Sequence, residues 1–273
     1  MSTAINETTK TGQVSGSAAE VYENFFVPAL FADWAPRICD AARLSPGERL
    51  LDVACGTGLV AREAKSRLGD TGAVTGLDCN DGMLAVAARL APDIDWKSGV
   101  AEDIPFADAR FDVVTCQFAL MFFDDREKAL QEMWRVLRPG GRLVVATWDS
   151  LAHSPGYDAM AALLERLFGE KIASALHAPY NLGDCDELIQ IFKDAGISDP
   201  VIRTRPGLAR FPDIEGWVYT DIKGWTLSES INEAQYQRLL GEAKRHLARF
   251  TTEDGRVEFS APAHLVIAEK KES

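Results

Sequence analysis

Short apolar runs alternate with segments of helical apolar spacing from Arg49 to Trp148. The first run, Leu50–Ala54, is followed by an amphipathic helix over Leu59–Leu68, which is the signature of a βαβ unit. The alternation then predicts strands at Ala73–Asp78, Asp95–Lys97, Phe111–Cys116 and Arg142–Trp148, and helices at Gly82–Leu90 and Arg126–Leu137. The runs are almost continuously apolar, so they predict an α/β, doubly wound fold with a mostly parallel sheet covered on both faces.

The segments that flank this region have a different pattern. Apolar spacing predicts an N-terminal helix from Ser17 and a second over Phe31–Arg43. Beyond Trp148 the pattern predicts helices at Tyr157–Phe168, Asp186–Ala195 and Asn232–Phe250, and strands at Val201–Arg205 and Leu265–Ala268. We therefore predict a flexible tail over 1–16, a cofactor-binding core with N-terminal helices over 17–150, and a helical lid or substrate-binding insert with the final strands of the same sheet over 151–273.

Charge and cysteine content narrow the class of function. The chain has 41 acidic and 29 basic residues and a net charge of -12, which disfavours a nucleic-acid partner because phosphate binding depends on Lys and Arg. Five scattered cysteines without a Cys-x-x-Cys pair indicate reduced thiols in the cytoplasm. The chain has no signal peptide pattern and no apolar stretch of membrane-spanning length, and no residue cluster has metal-ligand spacing. We therefore expect a soluble, cytoplasmic protein without a bound metal.

A glycine pair marks the candidate chemistry. Gly56 and Gly58 lie where the first strand meets its helix, and glycine lets the backbone approach a ligand closely. The alternative is a tight turn or close helix packing. Asp78 ends the second strand, where an acidic side chain commonly accepts hydrogen bonds from ribose hydroxyls, although it would also serve as a helix cap. Ala61 replaces the third glycine of the dinucleotide fingerprint, which disfavours NAD and flavin.

Four motifs in order then give a specific resemblance. They are Leu-Asp52-Val-Ala-Cys-Gly-Thr-Gly58, Gly-Leu-Asp78-Cys-Asn-Asp-Gly-Met83-Leu, Ile104-Pro-Phe106 with Phe111-Asp-Val-Val114, and Leu137-Arg-Pro-Gly-Gly-Arg-Leu143. Over residues 20–150 the chain resembles class I S-adenosylmethionine-dependent methyltransferases, in the branch of the ubiquinone and menaquinone biosynthesis methyltransferases. The resemblance implies a Rossmann-like, seven-stranded sheet whose last strand pair is antiparallel, with the cofactor over the carboxyl ends of the first strands.

The resemblance also implies a cofactor site. It assigns the ribose hydroxyls to Asp78, the amino group of the cofactor to Asp52, and the adenine face to Met83, which equally suits a helix core. The full set of implied contacts is Asp52, Ala54, Gly56, Gly58, Asp78, Cys79, Met83, Ala101, Glu102 and Gln117. In place of the aspartate that commonly meets the adenine amine, the chain has Val100, and what replaces that aspartate is left open.

The acceptor side of the site has weaker signals. Tyr22, Phe25 and Phe26 are candidates for an aromatic lid over the sulfonium, although an amphipathic stripe docked on the sheet explains them as well. His153 follows the fifth strand and is the candidate general base, with a surface histidine as the alternative. The predicted function is methyl transfer from S-adenosylmethionine, released as S-adenosylhomocysteine, to a small molecule. A non-catalytic or non-methylating protein of the same fold is the alternative.

Overall fold

The computed structural model describes residues 16–224, 227 and 230–272. The strands are β1 (Arg49–Val53), β2 (Ala73–Asp78), β3 (Asp95–Ser98), β4 (Phe111–Gln117), β5 (Leu137–Trp148), β6 (Val201–Arg205), β7 (Leu208–Phe211), β8 (Val257–Ser260) and β9 (Ala263–Glu269). Seven of them form one sheet in the order β3-β2-β1-β4-β5-β9-β6, in which β9 runs in the direction opposite to the other six strands. The doubly wound, mostly parallel sheet predicted from the sequence is confirmed.

Ten α-helices lie within the described residues. They are α1 (Gly16–Val21), α2 (Trp34–Ala42), α3 (Leu59–Leu68), α4 (Asp81–Leu90), α5 (Arg126–Val136), α6 (Pro155–Phe168), α7 (Glu170–His177), α8 (Cys185–Asp194), α9 (Ile214–Lys223) and α10 (Glu233–His246). A π-helical segment over Tyr22–Phe31 joins α1 to α2. The tail predicted over 1–16 lies outside the described residues, apart from Gly16, at which α1 begins. Among the described residues, no helix is long and apolar enough to cross a membrane.

The strand order creates a gap above the middle of the sheet. The chain moves from β1 outward to β2 and β3, and then returns to β4 on the other side of β1 before it continues to β5. The connections after β1 and β4 therefore diverge, and the carboxyl ends of these two strands are the place where α/β sheets bind ligands. The buried faces of β1 and β4 position this edge, because Leu50, Leu51, Val113 and Val114 are fully buried.

The chain beyond residue 150 both completes the sheet and covers its edge. β9 pairs with β5 from Arg142 to Trp148, and β6 pairs with β9. The hairpin of β7 and β8 lies outside the main sheet. Sequence analysis missed α7, α9 and this hairpin, and it extended the last helix to Phe250, whereas α10 ends at His246. The predicted domain boundary at residue 150 stays a prediction, since the sheet continues across it.

Candidate cofactor site

Three residues at the carboxyl ends of β1 and β4 have left-handed backbone conformations. Gly56 has a φ of 56°, and the non-glycine residues Ala54 and Phe118 have φ values of 53° and 52°. A side chain makes this conformation unfavourable by about 1–3 kcal/mol, and such strain concentrates at functional sites. All three residues line one cavity, so the two strained non-glycine residues at these strand ends lie at a single site.

The carboxylate of Asp78 organises the glycine loop. Its Oδ2 accepts a hydrogen bond from the backbone N–H of Gly56 at 2.7 Å, and its Oδ1 accepts one from the N–H of Asn80 at 2.8 Å. Burial raises the pKa of Asp78, while these backbone donors oppose the shift. Asn80, rather than Asp78, caps α4 through the backbone N–H groups of Gly82 and Met83. Asp78 is therefore not the helix cap. It lines the cavity, and each of its carboxylate oxygens can accept a further hydrogen bond.

The predicted adenine end of the site has an apolar floor. Met83 is 8% exposed and packs with Ala19, Val86 and Tyr22, and it also lines the cavity. It therefore serves the helix core and the cavity wall together. Ala101, Glu102 and Val100 form the neighbouring wall, as does Cys79. Val100, which stands where relatives commonly have an aspartate, is 46% exposed. Glu102 is the acidic side chain at this part of the wall.

One cavity of about 280 Å³ connects this end to the C-terminal part of the chain. Its far side is aromatic: the rings of Phe118 and Trp148 stack with centroids 3.8 Å apart and an interplanar angle of 4°. Phe31 packs against both rings, at 5.7 and 6.0 Å. Gln117 also lines the cavity, and its buried Oε1 has no hydrogen-bond partner among the described residues. A buried polar atom without a partner is costly unless a ligand or water satisfies it.

The π-helical segment forms a wall of the cavity. Tyr22 and Phe26 line it, whereas Phe25 is 40% exposed and packs against Tyr219 outside it. The two predicted lid residues Tyr22 and Phe26 are thus brought together with the glycine loop, and Phe25 is not. A salt bridge from Glu23 to Arg62, at 2.8 Å, fastens the segment to α3.

The segment is also tied to the loop itself. Arg62 Nε donates to the carbonyl oxygen of Gly58 at 3.3 Å. One arginine therefore links the wall that carries Tyr22 to the turn that carries Gly56.

Three further predicted site residues do not line the cavity, namely Asp52, Gly58 and His153. Asp52 is 1% exposed, and its carboxylate accepts hydrogen bonds from the N–H of Ala61 at 3.1 Å and from Thr115 Oγ1 at 2.8 Å. These bonds connect β1 to α3 and β4, which is a structural role, and the predicted contact of Asp52 with the cofactor amino group stays a prediction. Burial raises the pKa of this carboxyl to about 7.

Gly58 has a packing role. Its φ is 83°, and a Cβ on this residue would lie 2.3 Å from Cη2 of Trp96. This observation favours the alternative of close packing for the second glycine of the pair. The candidate base His153 has an exposed side chain, with Nδ1 2.9 Å from Asp149 Oδ2, and does not line the cavity.

Sequence reasoning missed the residues that close the cavity from the C-terminal side. Tyr157, Leu176, Pro179 and Tyr180 line it. Tyr157 begins a predicted helix, but nothing in the local pattern shows which way its ring points. No local sequence pattern predicts these residues, because their contact with the strand ends depends on the fold.

Together, the fold and the site define the class: a Rossmann-like protein that holds a nucleoside-containing cofactor at the switch point of its sheet. The cavity fits S-adenosylmethionine. Asp78 offers acceptor capacity for ribose hydroxyls, Met83 and Ala101 offer a flat apolar surface for adenine, and the aromatic rings suit a sulfonium. The unpartnered Oε1 of Gln117 is a further acceptor within the same cavity.

Comparison with known proteins agrees with this class. Residues 51–145 match the family described as methyltransferase domain. The demethylmenaquinone methyltransferase of Renibacterium salmoninarum is 44% identical over 123 residues, covering 45% of this chain and 50% of that protein. The ubiquinone/menaquinone biosynthesis C-methyltransferase of Roseobacter denitrificans is 31% identical over 221 residues, covering 73% of this chain and 88% of that protein.

Solved structures share the fold. Phosphoethanolamine N-methyltransferase 2 of Haemonchus contortus, solved with S-adenosylhomocysteine, has a TM-score of 0.63 at 18% identity and covers 99% of this chain and 61% of that one. YcgJ of Bacillus subtilis has a TM-score of 0.59 at 18% identity, covering 88% of this chain and 98% of that one. At this level of identity the likeness concerns the fold alone.

The chain belongs to the class I S-adenosylmethionine-dependent methyltransferases, in the branch of the ubiquinone/menaquinone biosynthesis methyltransferases, and S-adenosylmethionine is its cofactor. The match to the Renibacterium protein spans about half the length of that relative. The family is therefore shown, and the acceptor is a separate question.

Proposed function

We propose that this chain transfers the methyl group of S-adenosylmethionine to a small, largely apolar ring compound that carries a hydroxyl group, such as a reduced quinone or a phenol. The observation that carries the proposal is one continuous cavity with two chemically different ends. Asp78 and Gly56 line one end, and the aromatic rings of Phe118, Trp148 and Tyr157 line the other. Several relatives are named for methylation in quinone biosynthesis, which supports the same acceptor class.

The strand order separates the two ends by a distance that suits two ligands. Asp78 ends β2 and Trp148 ends β5, and two strands, β1 and β4, lie between them. Three strand spacings of about 4.8 Å place these ends roughly 14 Å apart. Gln117 ends β4 and Phe118 follows it, between the two ends of the cavity, where the methyl group and the acceptor atom would meet.

When bound, the cofactor supplies an electrophilic methyl group: the acceptor atom forms a bond to it while the methyl–sulfur bond breaks and its electron pair stays on sulfur. The residues of this chain contribute by positioning the cofactor and the acceptor. Asp78 holds the nucleoside end, and the stacked pair of Phe118 and Trp148 orients a flat acceptor ring. Alignment of the reacting atoms at about 3–3.5 Å accounts for much of the acceleration in such reactions. The apolar walls exclude water from the reacting centre.

The setting of the reaction belongs to the same proposal. All five cysteines are free, which supports a reducing, cytoplasmic compartment. The net charge of -12 supports a small molecule rather than a nucleic acid as the acceptor.

The test is transfer of a labelled methyl group from S-adenosylmethionine to a chemically reduced 1,4-naphthoquinone that lacks the ring methyl, alongside simple phenols and catechols. The wild type should methylate at least one of them. Phe123→Ala, which changes the cavity wall, should raise the acceptor KM and leave cofactor affinity unchanged. Phe168→Ala, which removes a similarly half-buried ring outside the cavity, is the matched control. Cofactor binding without transfer to any of these rings would refute the proposed acceptor class.

A further inference from the structure

A buried carboxyl group lies behind the acceptor end of the cavity. Asp221 on α9 is 1% exposed, and its Oδ1 accepts a hydrogen bond from the phenol of Tyr157 at 3.4 Å. Its Oδ2 has no hydrogen-bond partner among the described residues. The indole of Trp217, on the same helix, faces this carboxyl group as a donor and partly offsets the rise in its pKa, although its Nε1 does not reach normal hydrogen-bond geometry. Natural proteins rarely bury a carboxyl group with so little compensation unless it has a function.

Tyr157 connects this carboxyl group to the cavity. Its side chain is buried at 3% exposure and lines the cavity, whereas Asp221 does not line it. The tyrosine lies in the first turn of α6 and packs edge-on against Phe259 and Trp217, at centroid distances of 5.2 and 6.2 Å, so its ring is held in place. Tyr157 therefore both lines the cavity and contacts the buried carboxyl group.

The electrostatics suit proton transfer at neutral to mildly alkaline pH. Burial raises the pKa of Asp221 to about 8. The titratable groups that face it are Tyr157 and Tyr180, and burial raises the pKa of each phenol well above its usual value. Both phenols therefore stay protonated while the carboxyl group titrates. A base whose pKa lies near the working pH is the most effective one.

We propose that Tyr157 and Asp221 form a proton relay that deprotonates the hydroxyl group of the methyl acceptor. The acceptor O–H bond breaks, its proton passes to the phenol oxygen of Tyr157, and the phenol passes its own proton to Asp221. The electron pair of the broken bond stays on the acceptor and makes its oxygen, or the ring carbon conjugated to it, more nucleophilic. Tyr157 is the residue that touches the acceptor, and Asp221 acts through it.

The relay rests on the proposed function, and it supplies the base that His153 does not. The exposed His153 pairs with Asp149 outside the cavity. Of the tyrosines that line the cavity within the described residues, Tyr157 is the one whose phenol donates a hydrogen bond to Asp221.

The first experiment is the pH dependence of kcat/KM with the reduced 1,4-naphthoquinone as acceptor. For the wild type, the rate should rise with pH and level off above about pH 8, because the carboxyl group must be ionised to take the proton. Asp221→Asn and Tyr157→Phe should each lose about 100-fold at pH 8.5 and show no rise. Asp199→Asn, which changes an exposed carboxylate that pairs with Lys271, is the matched control. A purely structural role for Asp221 would lower the rate and leave the rise in place, which would overturn the relay.

Cofactor affinity and infrared spectra separate the relay from the proposed function. Calorimetric affinity for S-adenosylhomocysteine should be the same in Asp221→Asn and wild type from pH 6 to 9, which excludes an effect through the other buried carboxyl groups, Asp52 and Asp78. At pH 6 the infrared spectrum of the wild type should contain one protonated-carboxyl band that Asp221→Asn lacks and that titrates away above pH 8. A wild type without this band refutes the relay whatever its activity. A wild type that has the band and methylates no ring compound refutes the proposed acceptor, and the relay with it.

Discussion

Substitution of Gly58 by alanine tests how the glycine loop is supported. The φ of Gly58 is 83°, and a Cβ there would lie 2.3 Å from Cη2 and 3.0 Å from Cζ3 of Trp96. The ring cannot move away easily, because its Nε1 donates to the carbonyl oxygen of Ala91 at 2.9 Å and the same ring lies against Gly76, where a Cβ would be 2.3 Å from Cζ3. The indole thus occupies the space that both glycines leave free.

The expected loss has two parts. A left-handed alanine costs about 1–2 kcal/mol relative to glycine. Forcing an extra methyl group against a fixed ring costs about 1–3 kcal/mol more. Gly58→Ala should therefore lower the free energy of unfolding by roughly 2–5 kcal/mol. Gly47→Ala is a matched control, because Gly47 has a φ of 84° and its Cβ would meet nothing within 4 Å. It should show the first part alone.

Chemical denaturation of the two variants and the wild type measures both parts. Trp96→Leu in the Gly58→Ala background should recover part of the second loss, since it removes the ring edge that the new methyl group meets. Equal losses for Gly58→Ala and Gly47→Ala would refute the packing role, and so would a Gly58→Ala variant that keeps its stability and loses only cofactor affinity.

Three further predictions concern the same region. Asp78→Asn replaces one acceptor oxygen by a donor, so the hydrogen bond from the N–H of either Gly56 or Asn80 is lost; cofactor affinity should fall at least about tenfold by calorimetry, and unchanged affinity would contradict the assigned role. Arg62→Ala leaves the half-buried Glu23 without its salt-bridge partner; thermal unfolding should show a loss of about 1–3 kcal/mol, whereas an unaltered transition would show that this salt bridge does not hold the wall. Burial raises the pKa of Asp52 to about 7, above its unfolded value of about 4. The folded state therefore binds more protons between pH 4 and 7, and stability should fall as pH rises through this window by up to about 1.4 kcal/mol per pH unit. Denaturation from pH 4 to 8 should show a weaker fall in Asp52→Asn, and an identical fall would exclude this carboxyl group as its cause.

The α/β core was predictable because its signals are local. Continuous apolar runs predicted β1, β2 and β4 within a residue or two, and the alternation of strands and helices predicted the short, polar β3 between them. The start of β5 at Leu137 was missed, because Pro139 and the two glycines after it indicate a turn when read locally, whereas the ladder with β4 and β9 extends the strand. A helix from Ser17 was predicted, but its π-helical continuation over Tyr22–Phe31 was not, because apolar spacing does not distinguish the two helix geometries.

The residues of the candidate site also differ in whether a local signal predicts them. Asp78, Gly56 and Met83 follow strand ends in recognisable motifs, and all three line the cavity. Tyr157 and Asp221 are 64 residues apart in the chain, and no motif connects them. Their contact depends on how α6 and α9 pack over the sheet, and that information is spread over the whole C-terminal part of the chain.

Calorimetric titration of the wild type and of Gly56→Val tests most directly whether the switch point of this sheet holds S-adenosylmethionine. Gly56 has a φ of 56° and lines the cavity, so a branched side chain there both strains the loop and fills the site. We predict one site per chain with micromolar affinity for S-adenosylmethionine and S-adenosylhomocysteine in the wild type, and binding at least 100-fold weaker in a folded Gly56→Val. Absence of binding in the wild type, or undiminished binding in Gly56→Val, would contradict the account.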